Sequence, residues 1–244
     1  MSGNCGMDTR EKIEILSARI TPERYAKMLR ALEFRTRRLT VVLEDVFQSH
    51  NAAAVLRSCD AFGLQDAHII ENLYKLKISD NVDMGVSKWQ TLHFYSLSTA
   101  TYQRSGMPKP KCAGEAELEN SRRAFAELKS RGYFLAASSP RAGTASLCDI
   151  PADRPLALLI GTELTGLTQA ACDAADFVFS LPMLGFAQSF NLSVFAAICL
   201  SELSSRMRAA GDEWKMSAEE KDSLLLEWLR KSVSNADSLI GGAE

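Results

Sequence analysis

Residues 9–38 read as helical, with one break at Thr21-Pro22-Glu23. Thr21 suits an N-cap, and Pro22 then falls at the first helical position, where its missing N–H costs nothing. The apolar, β-branched run from Leu39 to Val46 (LTVVLEDV) predicts a buried strand. A helix is predicted from Asn51 to Phe62, with Asn51 placed to cap it. A second strand starts at Ala67–Ile70, and the Pro- and Gly-bearing stretch 98–114 reads as a loop or insertion. Further on the pattern predicts a helix (Ser121–Ser130), strands at Tyr133–Ala137 and Leu156–Ile160, a helix (Thr168–Ala175), a strand (Phe177–Leu181) and a long, mostly apolar helix (Asn191–Ala209). A last amphipathic helix spans about Ser217–Ser234, opened by the capping box of Ser217 and Glu220. Strands alternating with helices predict an α/β domain whose parallel sheet is covered on both faces.

Composition narrows the function classes. The 244 residues are 46% hydrophobic and 24% charged, which excludes a wholly disordered, collagenous or coiled-coil chain. Lys plus Arg is 28 against 30 for Asp plus Glu, a net charge of −2, so nucleic acid is not held by bulk charge. Positive charge is instead local: Arg24, Lys27, Arg30, Arg35, Arg37 and Arg38 face one acid, Glu33, within Arg24–Arg38. The apolar runs fall short of the roughly 18 residues of a membrane span, and no secretory signal precedes the charged N-terminus. Six scattered cysteines lack metal-ligand spacing and read as free thiols of a cytoplasmic protein, with no metal.

Three segments hold candidate chemistry. His50-Asn51 through Arg57 lies where a strand passes to a helix, a common ligand position in open α/β sheets. Asn51 and Arg57 are separated by about 240° of helix rotation, so they share a site only if Asn51 sits at or before the first turn. Gly161-Thr162-Glu163-Leu164-Thr165-Gly166 follows the strand LALLI. Its glycines allow tight turns, but Glu163 disfavours a phosphate cradle and suits an amine or cation instead. Ser189-Phe190-Asn191-Leu192-Ser193 opens the long helix, whose N-terminal amides suit an anion or take side-chain caps.

In order and content these segments resemble the three motifs of the SpoU/TrmH family of ribose 2′-O-methyltransferases, within the SPOUT superfamily. Asn51 and Arg57 match the first motif, Gly161, Glu163 and Gly166 the second, and Ser189, Asn191 and Ser193 the third. Arg24-Tyr25-Ala26 with its basic sequel, and the segment from Trp214 through Trp228-Leu229, resemble the ends of the tRNA-modifying TrmH branch. The segment Thr101–Leu118 looks longer than in compact members. The resemblance implies an α/β fold tied in a deep C-terminal trefoil knot over about residues 156–210. It divides the chain into a basic helical extension (1–38), a methyltransferase domain (39–210) and a C-terminal helical extension (211–244).

It further implies S-adenosylmethionine as cofactor, held by Gly161, Glu163, Gly166, Leu181, Met183, Phe190 and Leu192, with a backbone or packing contact from Ala137. Asn51, Arg57, Ser189 and Asn191 are the implied catalytic residues. Arg24, Arg35, Arg37, Arg38 and Lys88 are the implied RNA contacts. The partners expected are RNA, foremost a D-loop guanosine of tRNA, and a second copy of the chain that shares the site at a homodimer interface. Two rivals remain open: the same chemistry on ribosomal RNA, and a non-catalytic RNA-binding protein on this fold. A small-molecule enzyme is disfavoured by the absent glycine fingerprint.

Overall fold

The computed structural model describes residues 7–76, 85–96, 101–102, 118–139 and 145–241. Most of the stretch 101–118 therefore lies outside the described residues. In chain order the elements are α1 (Thr9–Ser17), α2 (Pro22–Leu32), β1 (Leu39–Glu44), α3 (Ser49–Ala61), β2 (Asp66–Glu71), β3 (Tyr74–Lys75), β4 (Thr91–Ser96) and β5 (Thr101–Tyr102). There follow α4 (Glu119–Ser130), β6 (Phe134–Ser138), β7 (Leu156–Ile160), α5 (Gln169–Ala174), β8 (Phe177–Phe179), α6 (Leu192–Ala209), α7 (Ala218–Ser232) and α8 (Ala236–Leu239).

The chain divides into two compact units, one formed by Arg37–Trp214 and the other by Met1–Thr36 together with Lys215–Glu244. The larger unit is built on a parallel six-stranded sheet in the order β4-β2-β1-β7-β6-β8. Every residue of β1, β2 and β7 is buried, as central parallel strands require. On one face, α3 and α6 set Val55, Leu56, Cys59, Cys199, Leu200 and Leu203 against Val41 and Leu43. On the other, Phe125 and Leu128 of α4 and Ala171 of α5 pack with Val42, Ala137 and Leu159. The strand order reverses between β1 and β7, and the space beyond their carboxyl ends is where such sheets place ligands.

The hydropathy pattern announces most of these elements but not β4. Its sequence, TLHFYS, runs along the sheet edge with Tyr95 as its one buried side chain, so no clean alternation marks it. In the helical unit, Thr21 caps α2 with Pro22 at its start, and Ser217 and Glu220 close the expected capping box on α7. Leu16, Met28, Leu32, Leu225, Trp228 and Leu229 form its buried interior. Among the described residues no helix is long and apolar enough to cross a membrane.

Candidate functional site

The site begins with a forced turn. Asp45, directly after β1, takes φ 49°, a left-handed conformation uncommon outside glycine. Its carboxylate holds that turn by accepting from the backbone N–H of Asn72 at 2.8 Å and of Leu73 at 3.0 Å, and from Asn72 Nδ2 at 3.1 Å. Burial pushes the Asp45 carboxyl up in pKa, against the pull of these bonds. The chain is thereby aimed through Phe47 and Gln48 into α3.

Asn51 does not cap α3. The helix starts at Ser49 with Gln48 at the N-cap and no side-chain cap, and Asn51 is its third residue, only 3% exposed. Its carboxamide instead joins the three sequence segments. Nδ2 donates to Glu163 Oε1 at 2.9 Å and to Gln48 Oε1 at 3.0 Å, while Oδ1 accepts from Asn191 Nδ2 at 3.1 Å. Asn191 is the N-cap of α6, where its Oδ1 accepts from Ser193 N at 2.9 Å and Ser193 Oγ at 2.6 Å. Asn191 is thus both a cap and a site residue. The direction of the chain Ser193–Asn191–Asn51–Glu163 is set at its ends, because a backbone N–H only donates and a carboxylate only accepts.

Glu163 is not left facing a cationic ligand, as its loop position suggests. Its oxygens also accept from the backbone N–H groups of Phe47 and Gln48, both at 3.3 Å. A negative group there complements the positive N-terminal end of α3. The loop that presents it is closed on itself: Thr162 and Gly166 exchange two backbone hydrogen bonds of 3.1 Å, and Thr162 Oγ1 accepts from Thr165 N at 3.0 Å. Gly166 has φ 72°, and a Cβ on Gly161 would stand 2.2 Å from Gly166 C and Leu167 N. The close approach requires glycine at 161, and the positive φ favours it at 166.

A cleft of about 420 Å³ opens beside the network. Of the expected catalytic residues, Asn51, Ser189 and Asn191 line it, and of the expected cofactor residues Gly161, Glu163, Gly166, Leu181, Met183, Phe190 and Leu192 do so. Gln48, Ser138, Ser139 and Ser180 line it too, and nothing in the sequence singles them out. Ala137 is fully buried in the core on the α4 side, and its neighbours Ser138 and Ser139 line the cleft.

Arg57 stands apart from the cleft within the single chain. It lies on α3 well beyond Asn51, is exposed, and is not among the residues lining the cleft. The first-turn position of Asn51 is met, yet about 9 Å of helix rise and the 240° rotation carry the guanidinium away.

All four expected RNA-contacting arginines have partners within the protein, and Arg24 Nη2 donates to Ser232 Oγ at 3.3 Å. Arg35 is 4% exposed, its guanidinium 5.4 Å from the centre of the Trp228 ring. Arg37 Nη1 donates to both oxygens of the fully buried Asp66, at 2.6 and 2.7 Å, and His93 Nε2 lies 2.9 Å from the same carboxylate. Burial alone would raise the Asp66 pKa, but the bond from His93 and the charge of Arg37 bring it below its ordinary value. Arg38 donates to the carbonyls of Asp153 and Glu213. Arg24, Lys27 and Arg30 on α2 are exposed, as is Lys88 in the short 3₁₀ helix Val86–Trp89.

Residues 99–201 match the model of the SpoU rRNA Methylase family. A tRNA (guanosine(18)-2′-O)-methyltransferase of Borreliella burgdorferi is 35% identical over 228 residues, covering 93% of this chain and 94% of the relative. The chain belongs to the SpoU methylase family. A second relative, the tRNA (guanosine(18)-2′-O)-methyltransferase of Thermus thermophilus, is 30% identical over 86% of this SpoU methylase and 98% of its own length. The fold is shared with the A. aeolicus TrmH/SpoU tRNA modifying enzyme, at a TM-score of 0.71 and 24% identity over 87% of this chain and 98% of that one. It is also shared with the SpoU methyltransferase AviRb from Streptomyces viridochromogenes, solved in complex with AdoMet, at a TM-score of 0.54 and 21% identity over 75% and 65% of the two chains. In this SpoU methylase, then, one side chain or more from each of the three motifs meets in a single hydrogen-bonded network at one cleft.

Proposed function

We propose that this chain transfers the methyl group of S-adenosylmethionine to a ribose 2′-hydroxyl of RNA, with a D-loop guanosine of tRNA as the substrate. The observation that carries the reading is the Ser193–Asn191–Asn51–Glu163 network beside the cleft, in a chain whose 35% identical relative bears that activity in its name. The cleft suits the cofactor: its volume falls within the range of small-molecule sites, and it pairs the apolar Leu181, Met183 and Phe190 with the hydroxyls of Ser138, Ser139 and Ser180. When bound, the cofactor supplies an already activated methyl group.

The protein's task is then mainly to place the hydroxyl, and positioning of this kind supplies up to roughly 7–11 kcal/mol. In this reading Asn51 and Asn191 orient the ribose, and Ser189 meets it at the start of α6. Arg57 holds the neighbouring phosphate and stabilises the developing alkoxide by its fixed positive charge, since guanidinium groups stay protonated in proteins.

An exposed Arg57 outside the cleft fits a site completed by a second copy of the chain. The apolar surface supports this. Val194 and Ile198, four residues apart on one face of α6, are 47% and 39% exposed, and Leu184 and Phe186 on the preceding loop are fully exposed. Exposed apolar side chains grouped in this way mark an interface. We include in the same proposal the knotted path for about residues 156–210, which the likeness to SpoU-fold structures supports.

The test is methyl transfer from labelled S-adenosylmethionine to unmodified tRNA and, in parallel, to ribosomal RNA, followed by mapping of the labelled nucleotide. Label is expected on a D-loop guanosine ribose, falling about a hundredfold or more in Arg57→Ala, as for removal of one transition-state donor. Label confined to ribosomal RNA would overturn the substrate and keep the chemistry. Cofactor binding without label in either RNA would leave a non-catalytic RNA-binding protein.

For the RNA surface, the exposed cations of α2 take the place of the buried Arg35 and the half-buried Arg37 and Arg38. The triple variant Arg24→Ala/Lys27→Ala/Arg30→Ala is expected to weaken tRNA binding, with the salt slope falling by about 1 for each phosphate that is no longer neutralised. Unchanged affinity and slope in filter binding across 50–200 mM salt (roughly the range in which such contacts show) would remove α2 from the RNA surface.

A further inference from the structure

The network leaves one amide group over. Asn51 Nδ2 has two hydrogens; one goes to Glu163 Oε1 and the other to Gln48 Oε1, at 2.9 and 3.0 Å. A flipped Gln48 would turn its own NH₂ towards that NH₂ and set two donors against each other, so the Gln48 carboxamide has one allowed orientation. Gln48 Nε2 is thereby directed away from Asn51. Gln48 is exposed and lines the cleft, and among the described residues Nε2 has no hydrogen-bond partner. The backbone cannot relax this arrangement. The Gln48 N–H is committed to Glu163 at 3.3 Å, and its carbonyl accepts from Asn51 N at 3.0 Å and Ala52 N at 3.2 Å.

We propose that Gln48 is a further ligand-binding residue of this site, its Nε2 donating to an acceptor oxygen on the molecule that fills the cleft. This rests on the reading of the cleft given above. Two sources carry such an oxygen: the carboxylate of the cofactor's methionine part, and a phosphate or ribose oxygen of the RNA. Gln48 has two separable jobs, an acceptor for Asn51 and a donor for the ligand, and its substitutions separate them. Gln48→Glu keeps the acceptor and loses the donor; Gln48→Lys keeps a donor and loses the acceptor; Gln48→Met loses both.

Steady-state methylation of tRNA and calorimetric binding of S-adenosylmethionine are measured for the wild type and all three variants, with thermal melting to show that each is folded. The loss of one hydrogen bond to an anionic oxygen is expected to cost about tenfold in affinity. Gln48→Glu and Gln48→Met should therefore show that loss, while Gln48→Lys, which lacks the same acceptor as Gln48→Met but keeps a donor, should bind more tightly than Gln48→Met. A rise in KM for tRNA with unchanged cofactor affinity assigns the oxygen to the RNA, and the reverse assigns it to the cofactor. If Gln48→Glu matches the wild type in both quantities while Gln48→Lys and Gln48→Met are impaired, Gln48 only positions Asn51 and the inference is overturned. A wild-type protein that methylates no RNA would instead overturn the proposed function, whatever the variants do.

Discussion

Gly161→Ala is expected to cost at least about 3 kcal/mol of stability, well beyond an ordinary overpacking change, because the atoms in the way are backbone. The added Cβ would stand 2.2 Å from Gly166 C and Leu167 N and 2.3 Å from Gly166 O. No side chain can swing aside. The loop must open, breaking the paired Thr162–Gly166 bonds and shifting Glu163 away from Asn51. Cofactor affinity should fall with the fold. Gly166→Ala makes the control, since open space surrounds its Cβ and only the positive φ of 72° is penalised, at about 1 kcal/mol. In thermal melts the first variant should lose about 6–12 °C and the second about 2–4 °C. Equal shifts for the two would show that the close approach at Gly161 relaxes freely.

The second large effect is expected from Asn51→Asp. The change replaces a donor 2.9 Å from the Glu163 carboxylate by a second carboxylate, at a position only 3% exposed. Like charges near 4 Å oppose each other by about 4 kcal/mol at the effective dielectric of such sites, and one of the two is driven to protonate. The same exchange removes the donor that ties the network to Glu163, so methyl transfer should fall about a hundredfold or more, the scale set by misplacing reacting groups. Adding Glu163→Gln removes the repulsion and gives the introduced carboxylate a donor to face. The double variant should then show a coupling energy of about 1–3 kcal/mol in denaturant unfolding. Additive effects of the two changes would mean that the Asn51–Glu163 contact does not hold the site together. Retained activity in Asn51→Asp would remove Asn51 from the machinery.

The fully exposed arginines and those drawn into the structure have the same appearance in the sequence. Arg24 through Arg38 is one basic run, yet Arg35 lies against Trp228, far along the chain, and Arg37 meets Asp66, 29 residues away. Replacing Arg35, Arg37 and Arg38 together would therefore remove the Trp228 contact, two carbonyl contacts and the Arg37 partner of Asp66, leaving that fully buried carboxylate short of one counter-charge. A charge run reports how many cations are available. Which of them face solvent depends on what other segments bring to the same place.

Much is nevertheless settled locally. The β-branched runs of β1 and β7, the Thr21–Pro22 start of α2 and the Ser217–Glu220 capping box are legible because strand periodicity, caps and turns act over one or two turns of chain. The three motifs are legible for a similar reason: Asn51, the Gly161–Gly166 loop and Ser189–Ser193 each combine residue types whose backbone and hydrogen-bonding demands show within six positions. What joins them is not local. Asn51 is 112 residues from Glu163 and 140 from Asn191, and the folded sheet sets their side chains within 3.1 Å. The same holds for Arg57, whose distance from the cleft follows from helix rise and rotation, and for Gln48, whose donor is directed by where Asn51 points. Elements, caps and the chemistry held in each segment can therefore be read along the chain. Which groups meet, and which face solvent, cannot, because a hydrogen-bond partner is a matter of position in space and spacing along the chain constrains position over only a few residues.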